Sequence, residues 1–237
     1  MFALLWVAHE CSACPGRFAN YDILTSIFQI RASMDKLRIE TKEISMFFED
    51  KVIFEELNWV GSEGEFWAIE GNNGAGKSTL LKILAGVLKP SQGGVHLNER
   101  NIEHISISDR KNYMGYMPSK RMLSGWIDVE TAAVVGAKTA MLPKLDHLLN
   151  AFELGEKRSQ LIQSLSDGEY VRVQLVRLIL QDPDVVLLDE PAAMLDSNWR
   201  KKIYEYLSQW ARRGKVVVIC SHELELNKLY CSQILHL

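Results

Sequence analysis

The run Gly71-Asn72-Asn73-Gly74-Ala75-Gly76-Lys77-Ser78 satisfies every position of the pattern G-x-x-x-x-G-K-[ST]. Its chemistry is phosphate binding. Glycines let backbone N–H groups turn inward on phosphate oxygens, and a helix N-terminus behind them adds partial positive charge. Lys77 then reaches the β- and γ-phosphates, the Ser78 hydroxyl is placed for a Mg²⁺ ion, and Thr79 adds a bond to an inner phosphate. A second cluster lies far along the chain, where Val185-Val186-Leu187-Leu188 deliver Asp189 and Glu190 ahead of Pro191. Carboxylates at the C-terminal end of a strand stand where α/β proteins bind ligands. Asp189 is placed to hold the metal through its water shell, and Glu190 to face the terminal phosphate and polarise an attacking water. The third cluster, Leu165-Ser166-Asp167-Gly168-Glu169, is a polar turn ahead of a helical stretch, Tyr170–Leu180. A serine there is first of all an N-cap. With Gly168 and exposed amides at the same helix start, it also makes a second phosphate site. One loop already cradles a nucleotide, so a second cradle makes sense only for a nucleotide held by another protomer.

These groups need elements to carry them. Phe66–Ile69 is an apolar run that ends at the glycine loop, and Ser78–Val87 reads as a helix, so strand, loop and helix make half of a βαβ unit. Val185–Leu188 and Val216–Ile219 are short continuous apolar runs, the pattern of strands buried on both faces of a parallel sheet. Between them Trp199, Ile203, Leu207 and Trp210 recur at helical spacing, with Arg200, Lys201, Lys202, Arg212 and Arg213 on the solvated side. Val52–Phe54 and Leu57–Val60 read as two short strands of an antiparallel subdomain, and Tyr113–Met117 as another strand. The stretch 119–163 has helical character. The expected fold is α/β: a phosphate-loop core with a mostly parallel sheet, an N-terminal antiparallel β subdomain and an inserted helical subdomain. Residues 34–118 and 164–237 form the core with its β subdomain, and 119–163 form the insertion. Residues 1–33 show no sustained period and read as an extension of unknown role.

Composition narrows the field less than the motifs do. The chain has 237 residues, 47% hydrophobic and 24% charged, which suits a folded domain rather than a disordered one. A net charge of −3 lacks the basic excess of a dedicated nucleic-acid binder, and no nucleic-acid partner is expected. Cys11 and Cys14 form a lone C-x-x-C, and Cys220 and Cys231 do not complete a zinc set, so all four read as reduced thiols. The N-terminal apolar run Phe2–Ala8 is far short of the roughly 20 residues a spanning helix requires. Work at a membrane would need another chain to supply the spanning part.

Taken in order, the phosphate loop, the Ser166–Glu169 turn, the Asp189-Glu190-Pro191 end, Met194-Leu195-Asp196 and Ser221-His222 resemble the nucleotide-binding subunit of an ABC transporter over about residues 36–237. The resemblance implies ATP hydrolysis with Mg²⁺ and a head-to-tail dimer. In it, ATP lies between the Lys77 loop of one protomer and Ser166 and Gly168 of the other, with Asp196 at the protomer contact. It implies that His222 contacts the γ-phosphate and that Phe48 stacks on adenine, where any aromatic face serves. It further implies a transmembrane permease, a solute-binding protein and a place on the cytoplasmic face of the membrane. The signature and the Ser221–Leu226 run are similar to those of iron-chelate and cobalamin importers. Two departures stand out. Ser119 occupies the place of a usual glutamine after Gly115-Tyr116-Met117-Pro118 and is too short to bring a carbonyl to the metal. Asp167 replaces a common glycine and adds negative charge near a triphosphate. They leave open a degenerate subunit paired with a catalytic one; a soluble ABC-class ATPase acting on ribosomes or DNA ends is the other alternative.

Overall fold

The computed structural model describes residues 37–49, 51–121 and 125–237; the extension 1–33 and the pair Cys11/Cys14 lie outside them. Four strands are short apolar or mixed runs that pair side by side: β3 (Phe66–Glu70), β6 (Met114–Met117), β7 (Val185–Asp189) and β8 (Val216–Cys220). With β9 (Gln233–His236) they form a five-stranded sheet in the order β6-β7-β8-β3-β9. Every pairing in it is parallel. β7 and β8 are buried at every residue, as continuous Val/Leu/Ile sequence requires when helices cover both faces.

Side chains alternate between those faces. Ala68, Val186, Leu188, Val217 and Ile219 join one core with helix α5 (Asp167–Gln181) and helix α6 (Ser197–Arg212). Ile69, Val185, Leu187, Val216 and Val218 join the other with helix α1 (Lys77–Leu84). Fully burying a Val or Leu contributes about 1.5–3 kcal/mol relative to exposure, so these two layers hold the sheet in place. The predicted stripe Trp199, Ile203, Leu207 and Trp210 is buried on α6, at 8%, 2%, 1% and 4% exposure.

An antiparallel sheet of order β2-β1-β4-β5 lies in the N-terminal half, from β1 (Arg38–Phe48), β2 (Lys51–Ser62), β4 (Gln92–Leu97) and β5 (Arg100–Asn101). Here the structure departs from the sequence reading. Val52–Phe54 and Leu57–Val60 belong to one strand, because the charged residues between them are absorbed as an irregularity. Glu56 has φ +46, and the β1–β2 register shifts between Thr41 and Ile44, between Ile44 and Met46, and between Met46 and Phe47. α1 stops at Leu84, short of Val87, with Gly86 at φ +64 just beyond its end. Tyr113 closes helix α2 (Ile107–Tyr113) instead of opening a strand. The stretch after β6 carries helices α3 (Val129–Val134) and α4 (Leu145–Ala151) and a 3-10 turn, Thr139–Lys144, ahead of α5. Helix α7 (Leu224–Tyr230) leads into β9. Among the described residues, no helix is long and apolar enough to cross a membrane.

Candidate active site

A parallel sheet puts the C-terminal ends of its strands along one edge. β8 lies between β7 and β3, and Cys220 at its end pairs with Asp189 on one side and Ile69 on the other. The phosphate loop, the Asp189–Glu190 pair and Ser221-His222 therefore leave the sheet as neighbours. This is the ligand-binding edge of an open α/β sheet.

Within the loop, Gly74 and Gly76 take φ values of +83 and +100. A Cβ on Gly76 would also come within 2.4 Å of the Ile53 Cγ2 and 3.3 Å of the Phe54 Cδ1, so conformation and space both demand glycine there. Lys77 is only 8% exposed. Its Nζ donates to the carbonyls of Gly71 at 2.8 Å and Asn72 at 3.1 Å, which pins the ammonium across the loop. The Ala75 amide closes the turn on the Asn72 carbonyl at 3.1 Å.

Asp189, 2% exposed, joins two elements. Its Oδ1 accepts the Ser78 hydroxyl at 3.0 Å and its Oδ2 the Ser119 hydroxyl at 3.1 Å. Ser119 is indeed too short to bring a carbonyl here, yet it brings a hydroxyl to the same carboxylate. One carboxylate with two hydroxyls is a hard-oxygen set, and it fits Mg²⁺, which takes one or two carboxylates and completes its shell with water and phosphate oxygens.

Glu190 begins the turn after β7 at φ +54, with its amide donating to the Cys220 carbonyl at 3.0 Å. Its Oε1 lies 3.4 Å from the His222 Nε2. Burial pushes the Glu190 pKa above the ordinary carboxylate range; His222 and Lys77 oppose the rise, and the neighbouring Asp189 charge adds to it.

The predicted residues Asn73, Gly74, Gly76, Lys77, Ser78, Thr79, Glu190 and His222 line a single cleft of about 500 Å³. Gly71, Asn72, Ala75 and Asp189 are not in its lining, and neither are Phe48, Ser166 and Gly168. Phe48, at the end of β1, is 47% exposed, and Ile53 of β2 contributes an apolar side chain to the cleft lining. Ser166 and Gly168 open α5, and Ser166 is occupied locally. Its Oγ accepts the Glu169 amide at 3.3 Å, and its own amide donates to the Glu169 Oε2 at 2.9 Å, a complete capping box. A hydrogen bond from Lys157 and the Ser166 amide hold the Glu169 carboxyl down to about 2. Asp196 is the N-cap of α6, accepting the Asn198 and Trp199 amides at 2.9 Å without a reciprocal bond.

A buried polar chain behind the cleft escaped the sequence reading. Glu70, directly before Gly71, accepts from the Asn227 Nδ2 at 2.8 Å. The Tyr204 hydroxyl donates to the Asn227 Oδ1 at 2.7 Å and accepts from the Ser221 hydroxyl at 2.8 Å. The Ser221 Oγ in turn accepts the Glu223 amide at 3.0 Å. These bonds are mutually consistent in one proton arrangement, and Tyr204 and Asn227 are fully buried. Leaving one such partner unpaired costs about 1–3 kcal/mol. The chain thus ties the residue before the phosphate loop to the residue before His222. Glu70, a buried acid at the end of an apolar strand, was the one readable signal.

The family model described as ABC transporter matches residues 54–193. An uncharacterized ABC transporter ATP-binding protein of Methanocaldococcus jannaschii is 29% identical over 84% of this chain and 74% of its own length. The hemin import ATP-binding protein HmuV of Nocardia farcinica is 30% identical over 77% of this chain and 66% of its own. The taurine import ATP-binding protein TauB of Ruegeria pomeroyi is 33% identical over 69% and 62%. Among solved structures, an ATP-binding subunit of an ABC transporter superposes with a TM-score of 0.77 at 25% identity, covering 84% of this chain and 85% of that one. A dimeric ATP-binding cassette in a post-hydrolysis state with ADP and Pi shares the fold, with a TM-score of 0.74 at 23% identity over 84% and 94%. The chain belongs to the ABC transporter family, as one of its ATP-binding domains, and is an ATPase.

Proposed function

We propose that this chain powers a membrane transporter through ATP-driven pairing of two such subunits. The observation that carries the reading is a division of labour. One cleft gathers Lys77, Ser78, Glu190 and His222, while Ser166 and Gly168 stand outside it at the start of α5. The cleft holds a nucleotide, and the α5 start supplies donors to the nucleotide of a facing copy.

Lys77 and the loop amides stabilise negative charge spreading over the γ-phosphoryl oxygens. Ser78 and Asp189, with Ser119 on the same carboxylate, would hold Mg²⁺. When bound, that ion would supply positive charge to offset the negative charge developing on the phosphoryl group. Glu190 orients the attacking water and takes its proton, and His222 holds the γ-phosphate against it. Phe48 serves as the adenine platform, which its exposed face permits. After hydrolysis the bridging γ-phosphate contact is gone and the two subunits separate, the two-state element that transport needs.

Glu190 must be ionised to act as base. Since burial raises its pKa, the acid limb of the kcat–pH profile is expected above the ordinary carboxylate value of 4.5. Removing His222 deletes the strongest lowering charge, so in His222→Ala the limb should move to higher pH. A limb that stays in place, or moves down, would remove Glu190 as the titrating base.

The subunit works with a multi-span permease partner and a solute-binding protein, on the cytoplasmic face of the membrane. For the cargo we favour an iron chelate or cobalamin, a reading that the hemin import relative supports. Selectivity for cargo resides in other subunits, because the same fold serves many loads. Affinity capture of the tagged chain from detergent-solubilised membranes is expected to recover a multi-span protein. Recovery with ribosomes or DNA instead would favour the soluble ABC-class alternative.

A further inference from the structure

The acid inside the signature turn has a dedicated partner. Arg121 lies two positions beyond Ser119 in the loop after β6. Its Nε donates to the Asp167 Oδ1 at 3.0 Å, and its Nη2 lies 2.9 Å from the same oxygen. The Nη2 also donates to the Leu165 carbonyl at 2.6 Å, and the guanidinium carbon stands 4.8 Å from the centroid of the buried Tyr170 ring. One guanidinium therefore grips the turn at Leu165, Asp167 and Tyr170.

Stability does not explain this grip. The two side chains are 34% and 63% exposed, and pairs so open to water add little to folding free energy. The helix is already capped by Ser166 and Glu169, and an acid in its first turn is favourable by itself. What the pair changes is charge. Asp167 stands between Ser166 and Gly168, and an unpaired carboxylate there would face a triphosphate across the dimer. The arginine comes from the loop whose Ser119 hydroxyl already rests on Asp189. The same short segment thus touches the chain's own metal-side carboxylate and the turn offered to its partner.

We propose that Arg121 neutralises Asp167 and so lets this signature turn accept the triphosphate of a facing subunit. The proposal rests on the reading that the turn meets that nucleotide. Arg121 is a positioning residue in this scheme, acting through Asp167.

The test uses the full chain carrying Glu190→Gln, with saturating Mg-ATP, and reads the dimer dissociation constant by light scattering. Adding Arg121→Ala is expected to weaken the dimer about tenfold or more, because like charges then meet at the interface. Raising the salt concentration should narrow that deficit. Adding Asp167→Gly to the same chain should restore affinity to within about threefold of the parent, and Arg121→Lys, which keeps the charge, should also stay near the parent. Arg121→Lys and Asp167→Gly keep the comparison decisive should the alanine variant misfold. If Arg121→Ala is harmless, or harms the dimer equally when Asp167 is already replaced, the proposal is wrong. A Glu190→Gln parent that stays monomeric overturns the facing-subunit reading itself, and the proposal with it.

Discussion

Glu190→Gln is expected to lower ATP turnover at least about a hundredfold, since a positioned general base is worth roughly 10²–10⁴ in rate. The amide keeps the size and polarity of the side chain but cannot accept the proton of the attacking water. ATP affinity should change by no more than about threefold, because the proposed phosphate contacts come from the loop and Lys77, not from Glu190. The backbone at Glu190 should survive the change, since its left-handed turn is held by the hydrogen bond its amide donates to the Cys220 carbonyl. With hydrolysis blocked, ATP should accumulate between two copies, and light scattering should find a dimer that ADP does not support. Turnover close to that of the unmodified chain would exclude Glu190 as the base. It would direct attention to His222, 3.4 Å from its carboxylate.

Lys77→Ala should weaken nucleotide binding about ten- to a hundredfold, the value of a charged hydrogen bond of roughly 1.5–3 kcal/mol to phosphate. The ammonium is placed for this by its bonds to the Gly71 and Asn72 carbonyls, which hold it over the loop instead of letting it reach into solvent. Alanine removes the charge and leaves both carbonyls without that donor, so the loop should lose order as well as affinity. Calorimetric titration with ATP measures the first effect, and amide exchange across Gly71–Ser78 measures the second. An unchanged dissociation constant would mean that the loop is not the phosphate site.

The two departures that clouded the sequence reading have structural answers. Ser119 reaches Asp189 with a hydroxyl, and Asp167 is matched by Arg121. Neither match was legible beforehand, because a serine and an arginine in a loop have no periodicity, and what they touch lies 70 and 46 residues away. The polar chain from Glu70 through Asn227 and Tyr204 to Ser221 was hidden for the same reason: its members come from a strand, two helices and the loop after β8. Strand β4 was missed because Gly93 and Gly94 weaken any strand signal, though a side chain on Gly93 would meet the Glu43 carbonyl at 2.4 Å.

The chemistry itself was readable in one dimension. A phosphate loop works through consecutive backbone amides and one adjacent lysine, and the apolar strand before Asp189 and Glu190 is a local pattern as well, so both survive being written as a string. Which groups share a cleft is a different matter. That depended on β8 lying between β3 and β7, and on parallel register bringing their ends to one edge, a non-local outcome of sheet order. Only the folded chain could decide that Ser166 and Gly168 stay outside that cleft and that Arg121 covers the charge between them.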